Sequence, residues 1–346
     1  IWFAAFAALV LTPACQSRPP PAPAPSAPSF EHAQHIVVTP AAGFAFSPDG
    51  RSLLVSADAG GNLNAYSQPL AGGPPAALSA AFDRGMSAVS FFPSDDRILI
   101  SASGGAEAPT HLYVRGLDGA LRDLSPGGEN QIRFISWRQD GSGFWAAAGR
   151  GRDGLDLYAY EAASLERRLA FQADGMDIAA ISRDGRWLAL THGQGGVYLV
   201  DLHAPAPTPR LLNALGAAGV FEFAADGRSL AYASTGRGRF AQAWRYDLAS
   251  GAETPIMEAQ ADVLSVTSSP SGRYRVFVTT AATLVIDQST DRALPLADHI
   301  RDVRFNRDET QIAFRLANDP WPQDVFVADL DGAHIRRLVH SDAARP

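Results

Sequence analysis

Seven stretches of this chain are near-copies of one another, and that repetition restricts the fold more than any other feature. They read FSPDGRSLLVS (46–56), FPSDDRILISAS (92–103), WRQDGSGFWAAA (137–148), ISRDGRWLALTH (181–192), FAADGRSLAYAS (223–234), SSPSGRYRVFVT (268–279) and FNRDETQIAFRL (305–316). With Asp49, Asp95, Asp140, Asp184, Asp226, Ser271 and Asp308 as markers, successive copies lie 46, 45, 44, 42, 45 and 37 residues apart. A period in this range belongs to a propeller blade or a long solenoid unit.

The local chemistry decides for strands. In SPDG, Pro48 fixes φ at the second position of a type I turn and Gly50 takes the last, where left-handed backbone costs it little. The runs that follow stop after four to six residues at Gly, Ser or Pro, too short for a helix. Each copy then continues into a second half, such as HLYVRGLDGALRDLS (111–125), which reads as two strands around a turn. The unit is four antiparallel strands, a to d, and seven units bury both faces of each sheet by closing radially. The expected fold is all-β, a seven-bladed β-propeller of four-stranded antiparallel blades over 35–340, followed by a C-terminal tail at 341–346. The a–b corner recurs because seven blades make similar bends, and it carries no chemistry of its own. A calcium-loop reading of its Asp-Gly fails for want of a regular run of oxygen ligands.

Strand, SPDG and strand, together with VFVADLDGAHIRRLV (325–339), resemble the TolB-like, or WD-like, propeller repeat over about residues 36–340. That repeat occurs in envelope propellers and in the N-terminal propeller of prolyl oligopeptidase-type serine peptidases. The resemblance implies either a tethered binding propeller or the substrate-gating part of such a peptidase, whose α/β-hydrolase domain is absent from this chain.

The N-terminus carries an apolar run at 1–11, too short to span a bilayer, then LTPAC ending at Cys15. This layout resembles a lipoprotein signal segment over 1–15, N-terminally incomplete, with Cys15 as the lipidated residue. The alternative is an ordinary signal peptide cut near Ala14. Cys15 is the one cysteine of the chain, so no intrachain disulfide is possible. Residues 16–34 form a Pro/Ala-rich linker, and the prolines of RPPPAPAPSAPS (18–29) favour a polyproline II stalk of roughly 35 Å. The expected location is the bacterial cell envelope, on the periplasmic side and tethered by lipid.

Composition narrows the chemistry. The formal net charge of −7 gives no overall attraction to phosphate backbones, so nucleic acid is not expected as a partner. All 29 cationic side chains are Arg, which removes Schiff-base chemistry and the P-loop lysine. The nucleophile elbow G-x-S-x-G is missing, and its nearest relative, GMSAV (85–89), runs into a strand, making Ser87 structural. His32 and His35 lack a third ligand, and His111, His192, His203, His299, His334 and His340 fall in separate repeats. GRGRDG (149–154) precedes no helix that could receive phosphate. No cofactor, metal or catalytic residue is therefore assigned, although scattered residues can still meet around a propeller's axis.

Variable connections on a rigid framework are where recognition resides. The a–b corners are uniform, whereas the b–c connections differ: GGAEAPT (104–110), GRGRDGLD (149–156), TGRGRFAQA (235–243) and ANDPWPQD (317–324). This places Arg150, Arg152, Arg237, Arg239, Phe240 and Trp321 on one rim as candidate partner-binding residues, of the types that dominate interface energetics. The expectation is a monomeric, non-catalytic protein binding an envelope protein or peptide through that face.

Overall fold

The computed structural model describes residues 44–58, 63–80, 85–103, 109–125, 131–149, 154–192, 196–213, 217–235, 238–296, 300–316 and 324–339. All of them belong to the second of two units into which contacts divide the chain, Gln34–Pro346.

Each group of strands is set up by its corner. Ser47 Oγ donates to Asp49 Oδ1 (2.6 Å) and accepts from the Ser52 amide (3.0 Å), while the Arg51 amide donates to the same Asp49 oxygen (3.0 Å). Gly50, at φ 67°, closes the turn by donating its N–H to the Ser47 carbonyl (2.9 Å). The fourth copy repeats the network with Ser182, Asp184 and Trp187. In the seventh, Asn306 replaces the serine and accepts from the Thr310 and Gln311 amides (2.9 Å each). These short polar side chains satisfy the amides that the reversal takes out of the ladder.

The first group comprises Ala45–Phe46, Ser52–Asp58, Leu63–Pro69 and Ala76–Ala77, paired antiparallel in chain order. The a-strands of the other six are Gly85–Phe91, Gln131–Trp137, Asp177–Ile181, Ala217–Phe223, Val263–Ser268 and Ile300–Phe305, each opening a further set of four. The second and third groups, expected as separate sheets, are joined by one parallel pairing of Thr110 with Gln131. An a-strand and the preceding c-strand run the same way, so where their first residues come alongside, a single ladder bridge forms.

Strand alternation sends neighbouring residues to opposite faces. Apolar clusters accordingly sit between consecutive sheets. Leu54 meets Ile98 and Ile100 between the first and second, and Leu99 and Leu112 meet Phe144 between the second and third. Ala147 and Leu157 pack with Leu188 and Val200, Leu199 with Leu230 and Tyr232, and Ala243 with Val266 and Phe277. Val276 and Val285 of the sixth sheet pack with Ile312 and Phe314 of the seventh. Leu53 and Val55 of the first sheet then pack with Ala313 and Val327 of the seventh. Across that last junction Arg336 Nη1 donates to the Leu70 carbonyl (2.6 Å), and Arg315 lies 5.2 Å from the Phe44 ring centroid. Fully burying one Leu, Val or Phe side chain stabilises by about 1.5–3 kcal/mol, so these interfaces dominate the stability of the fold.

Candidate functional site

The corners, expected to be chemically silent, surround a cavity of about 630 Å³. Among the described residues, six sheets contribute to its lining, all but the fifth. Its walls are aromatic, with Phe46, Phe92, Phe134, Trp137 and Phe305, and its charges are Arg138, Arg183, Arg304 and Arg307. Among the described residues, no Asp or Glu lines it. In a chain of net charge −7 this is a local inversion of sign.

The hydrogen bond closing each corner defines equivalent positions. Its donor amide belongs in turn to Ser47, Phe92, Arg138, Ser182, Ala224, Ser269 and Asn306. Arg138 thus stands where three other copies carry the serine that folds the turn. Arg183 and Arg307 come one residue later, where Pro48, Pro93 and Pro270 stand in other copies. Arg304 comes two residues before its corner, at the position of Ser90, Ser136 and Glu222. Register shifts between a- and b-strands occur just before these residues, for instance between Ala88 and Ser90, and between Arg301 and Arg304. Such bulges re-aim the side chains that follow.

The electrostatics follow from the crowding. Arg304 is solvent-exposed but ringed by protein, and the resulting desolvation pushes its pKa down, with Asp302 opposing. The guanidinium stays charged, and that charge is under-compensated. At the equivalent position of the fifth sheet, burial pushes the Glu222 carboxyl above the ordinary range, against a hydrogen bond donated by Ser268 Oγ (2.5 Å). Arg183 Nη1 donates to the Pro270 carbonyl (2.9 Å), tying the fourth corner to the sixth.

A second cavity, a groove of about 700 Å³ between the third and fourth sheets, shares Arg138, Gln139 and Arg183 with the first. Trp145, 6% exposed, lines it, and a Cβ placed on Gly185 would fall 2.7 Å from the indole Cζ2. Glycine at this corner therefore lets the indole pack directly beneath the backbone.

Of the rim residues expected from the sequence, Arg239 is exposed and its guanidinium carbon lies 5.3 Å from the ring centroid of the half-buried Phe240. Arg150, Arg152, Arg237, Trp321 and Cys15 lie outside the described residues. Ser87 pairs with Ser101 in the ladder. His111 and His334 each contact one carboxylate, of Asp123 (2.9 Å) and Asp329 (2.8 Å), and His203 borders the groove. Among the described residues no three His, Cys, Asp or Glu gather as a metal-ligand set. The corner arginines went unassigned because arginine is the chain's uniform cation. The signal that finds them is their departure from Ser and Pro when the seven copies are aligned.

Face-packed four-stranded antiparallel sheets whose corners converge on one cavity define a β-propeller fold. No family model and no curated protein matches the chain. Solved structures do. The chain is similar to an oligogalacturonate lyase in complex with manganese, at 14% identity and a TM-score of 0.63, covering 85% of this chain and 90% of that one. It is also similar to TolB from Acinetobacter baumannii, at 16% identity and a TM-score of 0.53, covering 68% of this chain and 61% of TolB. Prolyl oligopeptidase B from Galerina marginata matches at 13% identity and a TM-score of 0.61, and the chain spans 50% of that enzyme's length. These likenesses relate the fold, at low identity, to TolB and to the propellers of lyase and prolyl oligopeptidase-type enzymes.

Proposed function

We propose that this protein is a seven-bladed propeller of the bacterial envelope that binds an acidic protein or peptide segment at the corner end of a central channel and performs no chemistry on it. The observation that carries this reading is the arginine-lined cavity at the corners, in which no Asp or Glu stands among the described lining residues. Four guanidinium groups in a walled cavity focus positive potential and hold carboxylates through paired hydrogen bonds, while the aromatic walls supply contact area. Closure of the ring is supported by the apolar cluster shared by the first and seventh sheets. The propeller spans 35–340 in this reading, on the 16–34 linker. Lipidation of Cys15 holds it, as a monomer, at the periplasmic face of a membrane, which the mass of the mature N-terminus checks.

The competing surface is the opposite rim, favoured by the exposed Arg239 paired with Phe240. A titration separates the two faces. Arg304→Gln with Arg307→Gln weakens binding of a glutamate-rich peptide at least about tenfold and flattens its salt dependence, whereas Arg239→Ala with Phe240→Ala leaves binding unchanged. The reverse result moves recognition to the rim. Hydrolysis of a peptide library by the purified chain overturns the non-catalytic reading. The alternative, a gating propeller of a prolyl oligopeptidase-type enzyme, draws on the fold likeness to such an enzyme. It requires the reading frame to continue beyond Pro346 into a G-x-S-x-G segment.

A further inference from the structure

Arginines with their Nε and Nη2 atoms turned to a carboxylate recur in this protein. Arg97 clasps Asp95 in this way (2.9 and 2.8 Å), Arg186 clasps Asp201 (3.2 and 2.8 Å) and Arg273 clasps Asp287 (3.5 and 2.9 Å). Arg138 is built differently. Its Nη1 is held by Glu161 Oε1 at 3.0 Å, so the guanidinium is fixed in place, but its Nε and Nη2 are buried and have no hydrogen-bond partner among the described residues. Trp145 Nε1, on the neighbouring strand, is also buried without a partner among the described residues, and the Arg138 guanidinium lies 5.2 Å from the Trp145 ring centroid. Both side chains line the groove between the third and fourth sheets, flanked by Arg168 and Arg183. A buried donor left unsatisfied destabilises the fold, and here three occur in adjacent side chains.

The groove also holds Asp140 and Asp184, but each uses Oδ1 within its own turn. Asp140 accepts from the Ser142 amide (2.9 Å), and Asp184 from Ser182 Oγ (2.5 Å) and the Arg186 amide (3.1 Å). We propose that the groove is a carboxylate socket, in which the free fork of Arg138 and the indole N–H of Trp145 receive one acidic group of the ligand. That the ligand is a peptide running on from the corner cavity rests on the function proposed above, because Arg138, Gln139 and Arg183 border both spaces. The socket itself rests on the unpartnered donors alone.

The test uses the full chain, a tetraglutamate peptide, a tetraglutamine control and free glutarate, read by tryptophan fluorescence and calorimetry. Tetraglutamate changes the fluorescence, tetraglutamine does not, and Trp145→Phe reduces the change, the remainder coming from Trp137 in the corner cavity. Arg138→Gln weakens tetraglutamate binding about tenfold or more. Arg138→Lys does not restore it, since an ammonium keeps the charge and loses the fork. Glu161→Gln keeps the fork, loses its anchor and weakens binding by less, and its melting temperature guards against a folding defect. If Arg138→Gln and Arg138→Lys bind like the unaltered protein at equal folded fraction, the socket is overturned. If only Arg304→Gln with Arg307→Gln abolishes binding, the corner cavity stands and the socket falls. If glutarate binds as tightly as tetraglutamate through Arg138, and independently of Arg304 and Arg307, the socket stands and the peptide reading falls.

Discussion

The junction between the sixth and seventh sheets and the junction between the third and fourth use the same corner in opposite ways. At the former the two corners are tied together, with the Ser271 amide and hydroxyl donating to the Glu309 carboxylate at 2.5 and 2.7 Å. Ser271 stands where most copies carry Asp, and Glu309 stands where most carry Gly, at a left-handed φ of 54°. The carboxylate missing from one corner is thus supplied by the next. At the other junction the Gln139 amide donates to the Arg183 carbonyl (3.1 Å), but beside it a groove opens and the Arg138 fork stays unpartnered. The difference teaches that a departure from the repeat has two possible fates. One that meets a neighbour's unsatisfied group consolidates the junction, whereas one that brings a donor with no acceptor leaves a place for a ligand.

The largest test removes a junction altogether. Deleting 300–346 exposes the sixth-sheet face around Tyr274 and Val276 and the first-sheet face around Leu53 and Val55. The shortened chain loses its cooperative unfolding transition in calorimetry or aggregates. An unchanged single transition would mean that the sheets behave as an open array, in which terminal units detach at small cost.

A smaller effect separates the two junctions directly. Glu309→Ala removes both ties to Ser271 and costs about 1 kcal/mol, since the bonds are charge-assisted but solvent-exposed. Trp145→Phe costs only about 1–2 kcal/mol, the packing and small cavity left by the lost ring, because the indole N–H has no partner among the described residues to lose. Denaturant unfolding measures both, and a loss of several kcal/mol for Trp145→Phe would show that its N–H is satisfied within the fold.

The smallest effect concerns the fifth-to-sixth junction, where burial raises the Glu222 pKa. An acid with a raised folded pKa binds its proton more tightly when folded. It therefore costs stability as pH rises from the unfolded value of about 4.3 through the folded one. Glu222→Gln accordingly melts higher than the unaltered protein near neutral pH, and the difference closes below about pH 4. A difference that stays constant from pH 4 to 8 would place Glu222 with the fully paired carboxylates such as Asp287, which the Arg273 fork holds well below the usual range.

How much could be read in advance differs between the corners and what they enclose. Ser47, Asp49 and Gly50 act on one another within three residues, so their pattern reports a turn wherever it occurs. The bridge between Thr110 and Gln131 left no such mark, because it depends on where two strands begin in space. The rim of b–c connections stood out in the sequence by its variety. The corner end did not, because its arginines are scattered single departures within seven otherwise uniform turns.

The sequence alone determined the number of units, their four-strand plan and the chemistry of each bend, because those depend on contacts within one period of the repeat. Only the tertiary structure decided that Arg138, Arg183, Arg304 and Arg307, drawn from three sheets and up to 169 residues apart in sequence, line one cavity. It also decided that Arg138 keeps a fork without an acceptor. The physical reason is that a guanidinium's partner is set by what the neighbouring sheet brings within about 3 Å of it, and face-to-face packing of the sheets, not spacing along the chain, chooses those neighbours.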